Sequence, residues 1–206
     1  MNVYLRLVVV LMNIFIGCSS SEYISNKYLD DCKILLDKLF SSNYDLVFGV
    51  CNRGIMGLSH DIAKENNRLV TGICPLIYKK QLMDVSCDYE EVTTTVGERT
   101  RRVFEESDIL LFLPGGIGTV YELFSAIEWK RSYELDNPII IYNSLGYFDV
   151  LLNLLNGIYD NGFTSREIEN CYYVSNNSDD ILNYINSYNK NNDIKIRKLD
   201  KENTKR

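Results

Sequence analysis

The residues best suited to chemistry lie together in Leu113-Pro-Gly-Gly-Ile-Gly-Thr-Val-Tyr-Glu122. Gly115, Gly116 and Gly118 follow an apolar run and precede a segment with helical spacing. Glycine admits backbone angles closed to other residues. A glycine-rich turn from strand to helix can therefore aim several amides, that of Ile117 among them, and a helix N-terminus at one anion. Thr119 adds a hydroxyl. No Gly-Lys-Ser/Thr follows, so this is not a Walker loop, and the spacing is not G-x-G-x-x-G. The chemistry implied is capture of a phosphate other than an obvious triphosphate. The alternative is an unliganded turn, which has no need of the folding entropy that three clustered glycines cost.

Glu122 falls one turn into the helix that follows, where its carboxylate can stand beside whatever the loop holds. Upstream, Gly97-Glu-Arg-Thr-Arg-Arg102 places Arg99 and Arg102 three residues apart, on one face of a helix. Arginine is suited to gripping a phosphate or fixing a carboxylate. Surface pairing with Glu98, Glu105 and Glu106 is the competing use.

Other chemistries are excluded by composition. His60 is the one histidine, so a zinc site built on two or three histidines is impossible and a Ser-His-Asp triad would have to use it. It sits beside Asp61 with no paired nucleophile and reads as a surface or capping residue. No two of the six cysteines form C-x-x-C, which excludes zinc ribbons and thioredoxin-like sites and favours reduced, buried thiols in a cytoplasmic protein. A net charge of −6 argues against a nucleic-acid partner. No metal or cofactor is called for.

The elements that must position these residues alternate along the chain. Apolar runs at 12–16, 45–49, 69–74, 108–114, 138–142 and 171–174 read as strands. Helical spacing covers 22–40, 54–66, 97–107, 117–133, 147–160 and 179–188. Residues 76–95 read as a mobile loop followed by an extended piece over 91–96. Strand and helix in alternation specify one Rossmann-like α/β domain over 12–190, an open and mostly parallel sheet flanked by helices, followed by a polar, disordered tail at 191–206. Such sheets bind ligands at the carboxyl ends of their strands.

The N-terminus admits two readings. Arg6, an apolar run from Leu7 to Ile16, and Gly17-Cys18 fit a lipoprotein signal, but the run is too short to span a bilayer, which takes about 20 apolar residues. Cleavage before Cys18 would delete the first strand of the sheet, so a buried strand is favoured and no membrane partner is expected. Met12 is a plausible true start, with the first eleven residues an upstream extension.

With these residues in view the chain resembles the LONELY GUY family, the cytokinin riboside 5′-monophosphate phosphoribohydrolases, many of whose members were once labelled possible lysine decarboxylases. The family signature P-G-G-x-G-T-x-x-E is matched in full by Pro114 to Glu122. The family's Arg-Lys pair, fifteen residues before that proline, falls on Arg99 and Thr100, and a further family arginine on Arg102. Its G-G-G-x-x-G-L-M-G segment is matched by Gly49, Gly54, Met56 and Gly57. Its first-strand turn resembles Gly17-Cys18-Ser19-Ser20. Trp129 and Gly146-Tyr147-Phe148 also fit, so the resemblance spans roughly 12–190. The chain departs from the pattern at Tyr121, usually Glu, at Glu128, often Thr, at Thr100, and at Val50 and Cys51 in place of two glycines.

The resemblance implies hydrolysis of the N-glycosidic bond of a nucleoside 5′-monophosphate, AMP or an N6-modified AMP, without cofactor. Glu122 and Arg99 would be the catalytic pair. Gly115, Gly116, Ile117, Gly118, Thr119, Arg102, Ser19, Gly49 and Met56 would bind phosphate and substrate. It also implies a homodimer, with Leu123, Phe124, Ile127 and Trp129 offering apolar material for the contact. The departures leave room for a nucleotide-binding or sensing protein without catalysis. The old decarboxylase label finds no support, since no lysine lies in the glycine loop or the strand before it to hold pyridoxal phosphate.

Overall fold

A computed structural model describes residues 12–188. The stretches proposed as upstream extension and polar tail lie outside the described residues. Seven strands form one parallel sheet: β1 (Met12–Gly17), β2 (Tyr44–Phe48), β3 (Val70–Pro75), β4 (Tyr89–Thr93), β5 (Ile109–Phe112), β6 (Ile139–Tyr142) and β7 (Tyr173–Ser175). Their order across the sheet is β4-β3-β2-β1-β5-β6-β7. The connecting helices are α1 (Asn26–Ser41), α2 (Gly54–Glu65), α3 (Val96–Glu105), α4 (Ile117–Arg131), α5 (Asp149–Asp160) and α6 (Ser178–Ser187).

Inner strands of a parallel sheet are covered on both faces, which is why β2, β5 and β6 are buried at every position. Successive side chains point to opposite faces and build two cores. Ile14, Ile16, Leu46, Phe48 and Leu111 pack with Leu35, Leu36 and Leu39 of α1, Ile62 of α2 and Ile181 of α6. Phe15, Val47, Leu110 and Phe112 pack with Val103 of α3, Leu123 and Ile127 of α4 and Leu155 of α5. The apolar run ending at Gly17 is therefore the central strand, paired on both edges by β2 and β5.

Two segments differ from the sequence reading. The stretch proposed as a mobile loop forms a 3₁₀ segment over Leu76–Asp84, and β4 begins two residues before the expected extended piece. As an edge strand carrying Glu90 and Glu91, β4 lacks the continuous apolar signal of its neighbours. The fifth helix starts at Asp149 rather than at 147, behind a 3₁₀ turn over Ser144–Gly146. Leu145 (φ 52°) and Gly146 (φ 74°) there adopt left-handed backbone that no α-helix accepts.

All six cysteines are free thiols, and five of them are buried. His60 stacks on Phe48 and sets its ring nitrogens 3.0 Å from Asp61 Oδ1 and from the Ser86 carbonyl oxygen, a structural placement. No described helix is long and apolar enough to cross a membrane.

Candidate active site

The chain proceeds from β1 outward through β2, β3 and β4, then returns to the other side of β1 as β5. The crevice where that order reverses, at the carboxyl ends of β1 and β5, is where open α/β sheets take ligands. The candidate residues converge there.

The turn after β1 docks on the other two. Ser19 donates its amide to the Pro114 carbonyl (3.0 Å), and its own carbonyl accepts the Met56 amide (3.0 Å). Ser19 Oγ accepts the amide of Ser21 (3.1 Å). Gly54 enters α2 at φ 62°, where an added Cβ would sit 2.6 Å from the Ser21 carbonyl oxygen and 2.7 Å from that of Ser19. A glycine is thus required twice over, for conformation and for space.

Beneath this turn lies Arg99, which α3 delivers from the far side of β3. Its guanidinium and the Glu122 carboxylate of α4 form a buried ion pair. Arg99 Nε also donates to the Ile73 carbonyl (3.2 Å), and the guanidinium lies over the Phe15 ring, 5.5 Å from its centre. Gly49 makes this possible, because a Cβ there would occupy the space of Arg99 Nη2. Met56 closes the same corner, its Cε 3.5 Å from that position. Burial pulls the Arg99 guanidinium down to about 10, against the nearby thiols of Cys18 and Cys74, which favour its charged form. Removing one member of such a pair strands the other charge at a cost of about 3–5 kcal/mol.

The glycine loop behaves differently from expectation. None of its glycines uses the left-handed region. Gly115 is needed because the Thr119 side chain lies where its Cβ would be, so Thr119 folds back on the loop and is itself buried. Gly116 and Gly118 would meet nothing within 4 Å. They are exposed, beside the first turn of α4, whose leading amides have no carbonyl one turn back to bond. Loop and helix thus offer open donors and the positive end of a helix dipole.

Arg102 is not drawn into this group. It gives Nε and Nη2 to Glu91 (2.7 and 3.1 Å), Nη1 to Glu105 (2.6 Å) and Nη2 to Glu106 (2.6 Å). These carboxylates raise its pKa above the ordinary arginine value. Thr100, where the family pattern has lysine, is buried and donates its hydroxyl to the Val96 carbonyl (3.0 Å). Val50 keeps a left-handed backbone (φ 62°) although it is β-branched and fully buried, a strained conformation where the family pattern has glycine. Tyr147, which the sequence reading left without a role, donates its hydroxyl to the Gly115 carbonyl at 2.5 Å. Only its place in Gly146-Tyr147-Phe148 marked it in the sequence. Among the described residues no cluster of His, Cys, Asp and Glu could hold a metal ion.

An all-parallel seven-stranded sheet with a glycine-rich loop and a buried Arg–Glu pair at its switch point defines a Rossmann-like α/β protein. Residues 56–185 match the family model described as "Possible lysine decarboxylase". The cytokinin riboside 5′-monophosphate phosphoribohydrolase LOG3 of Arabidopsis thaliana is 31% identical over 159 residues, 75% of this chain and 74% of that protein. LOG5 of the same plant is 30% identical over 186 residues, 88% of this chain and 80% of that protein. The chain belongs to this family, the LONELY GUY proteins. The fold is also that of the molybdenum cofactor carrier protein of Chlamydomonas reinhardtii, with a TM-score of 0.63 at 16% identity over 85% of this chain and 96% of that one.

Proposed function

We propose that the protein hydrolyses the N-glycosidic bond of a nucleoside 5′-monophosphate, AMP or an N6-modified AMP, to free base and ribose 5-phosphate. The observation that carries this reading is the buried Arg99–Glu122 pair set behind a loop whose Gly116 and Gly118 open outward. The names of the relatives support the reaction class. The amides of Gly116, Ile117, Gly118 and Thr119 receive the 5′-phosphate, with Ser19, Gly49 and Met56 shaping the wall beside it. The bond from the ribose carbon to the base nitrogen breaks, and its electron pair leaves with the base, which takes up a proton. The ribose carbon becomes oxocarbenium-like and is captured by water, which gives up a proton. Glu122 stabilises that positive charge or accepts the proton of the water, as carboxylates do in glycoside hydrolysis. Arg99 orients Glu122 and helps the base depart. Arg102, held by three carboxylates, has its charge spent on that cluster and brings none to the phosphate.

Base release from AMP and N6-isopentenyl-AMP, followed by chromatography, tests this directly. Glu122→Gln is expected to lower turnover by about two to four orders of magnitude while ribose 5-phosphate still binds. Turnover near the wild-type rate would remove Glu122 from the mechanism. A second reading, nucleotide binding without cleavage, draws on Thr100, uncharged and bonded within its own helix. It expects saturable binding of AMP with no base released by the wild-type protein.

The same reading includes a cytoplasmic homodimer. Its support is the outer side of α4, where a groove of about 470 Å³ is lined by Ile117, Tyr121, Phe124 and Trp129 among others. Leu123 and Ile127, offered by the sequence for that contact, are spent on the protein's own core.

A further inference from the structure

We infer that Tyr147 is a positioning residue for the phosphate loop, an inference that rests on the nucleotide reading above. Its hydroxyl donates to the Gly115 carbonyl at 2.5 Å. In a trans peptide the carbonyl of one residue and the N–H of the next point in opposite directions. Holding the Gly115 carbonyl toward Tyr147 therefore turns the Gly116 amide away from Tyr147. Gly116 is exposed, has open space where a Cβ would be, and its amide has no acceptor among the described residues. A single hydroxyl thus sets the direction of a donor at the head of α4. Without it the peptide between two glycines is free to rotate, since neither residue carries a Cβ to restrict it.

The segment that carries Tyr147 is built to aim it. Asn143 Oδ1 accepts the Phe148 amide (2.7 Å), and Asn143 Nδ2 donates to Asp149 Oδ1 (2.7 Å). Ser144 donates its hydroxyl to Asp31 of α1 (2.5 Å). Leu145 and Gly146 both hold left-handed backbone, and a Cβ on Gly146 would lie 2.7 Å from Asp149 Oδ2. The Tyr147 ring stands edge-on to Tyr28 (5.7 Å between centres) and to Phe148 (5.0 Å). Strained backbone held in this way clusters where a side chain must be placed accurately. Tyr147 is 40% exposed, so its core packing alone gives little reason for such a mount.

Tyr147→Phe keeps the ring and removes only the donor. By calorimetry it should bind ribose 5-phosphate about fivefold to tenfold more weakly than wild type, the equivalent of one hydrogen bond. Binding of adenosine, which has no phosphate, should change less than twofold. In steady-state hydrolysis of AMP the same factor should appear in KM and not in kcat. Tyr28→Phe, which keeps the edge contact, should match wild type throughout. As a second measurement, the Gly116 amide resonance should shift on adding ribose 5-phosphate to wild type and not to Tyr147→Phe. Equal ribose 5-phosphate affinity in wild type and Tyr147→Phe would overturn the assignment. So would equal weakening for adenosine and ribose 5-phosphate together with a lowered Tm, which marks a folding role. If wild type binds neither AMP nor ribose 5-phosphate, the nucleotide reading fails first and takes this inference with it.

Discussion

The two glycine-rich segments at the site hold their glycines for opposite reasons. In the turn after β2, each glycine yields to another part of the same chain. Gly49 makes way for Arg99, Gly54 for the carbonyls of Ser19 and Ser21, and Gly57 for the backbone of Asn52. In the loop after β5, only Gly115 does so, yielding to Thr119, while Gly116 and Gly118 face open space. A glycine that its own chain crowds is explained by folding. A glycine that nothing crowds, in a conformation open to any residue, is not required by folding, and at the head of α4 it leaves room beside the open amides. The first segment is therefore scaffold and the second is the surface that the proposed function has receive the phosphate, although both look alike as sequence.

Alanine substitutions sharpen that contrast, in decreasing order of their effect on stability. Gly54→Ala forces a Cβ against two carbonyl oxygens at φ 62°. It should cost about 2–4 kcal/mol through strain and overpacking, lowering Tm in a thermal melt by about 2–4 °C for each kcal/mol. Gly49→Ala should cost about 1 kcal/mol, because the obstructing atom is the far end of a side chain. Its larger effect should be on turnover, since the Arg99 guanidinium must move relative to Glu122. Gly118→Ala should leave Tm unchanged or raise it slightly, an alanine at a compatible helical position being worth about 0.4–1 kcal/mol. Ribose 5-phosphate affinity should nevertheless fall about tenfold as the methyl group intrudes on the phosphate. If Gly118→Ala lost stability and kept affinity, the two segments would not differ in kind.

Much of this was legible in the sequence, for reasons that can be named. Ile109–Phe112 and Ile139–Tyr142 are apolar throughout because both faces of the sheet are covered, so their strands stand out. Edge strand β4, half solvated and bearing glutamates, gave no comparable signal. Glu122 was identifiable within the family signature and Arg99 by its place fifteen residues before it, but not their burial together. That depends on Gly49 after β2, Ile73 of β3 and Phe15 of β1 meeting around the guanidinium. Arg102 resembled its neighbour in sequence, yet one helical face carries it outward to Glu91 of β4, Glu105 and Glu106. Tyr147 acts through its hydroxyl on a carbonyl 32 residues away, and local patterning holds no trace of such a contact.

The placement of β1 has a consequence for how the chain comes into being. This strand begins at Met12, yet its partner β5 lies 95 residues further on, as the Asn13–Asp108 contact records. At a synthesis rate of about 5–20 residues per second, roughly 5–20 s separate the two strands as they emerge. During that interval β1 can pair with β2, but its other side is a bare edge of Ile14, Phe15 and Ile16, the kind of template that recruits another chain. The turn after β1 and the loop after β5 meet only when that wait is over, through Ser19 and Pro114. A nascent chain halted before Ile109 would hold four of the seven strands, with one edge of β1 bare and no glycine loop to meet the turn after it, so closure of that edge and assembly of the crevice belong to the same late stage.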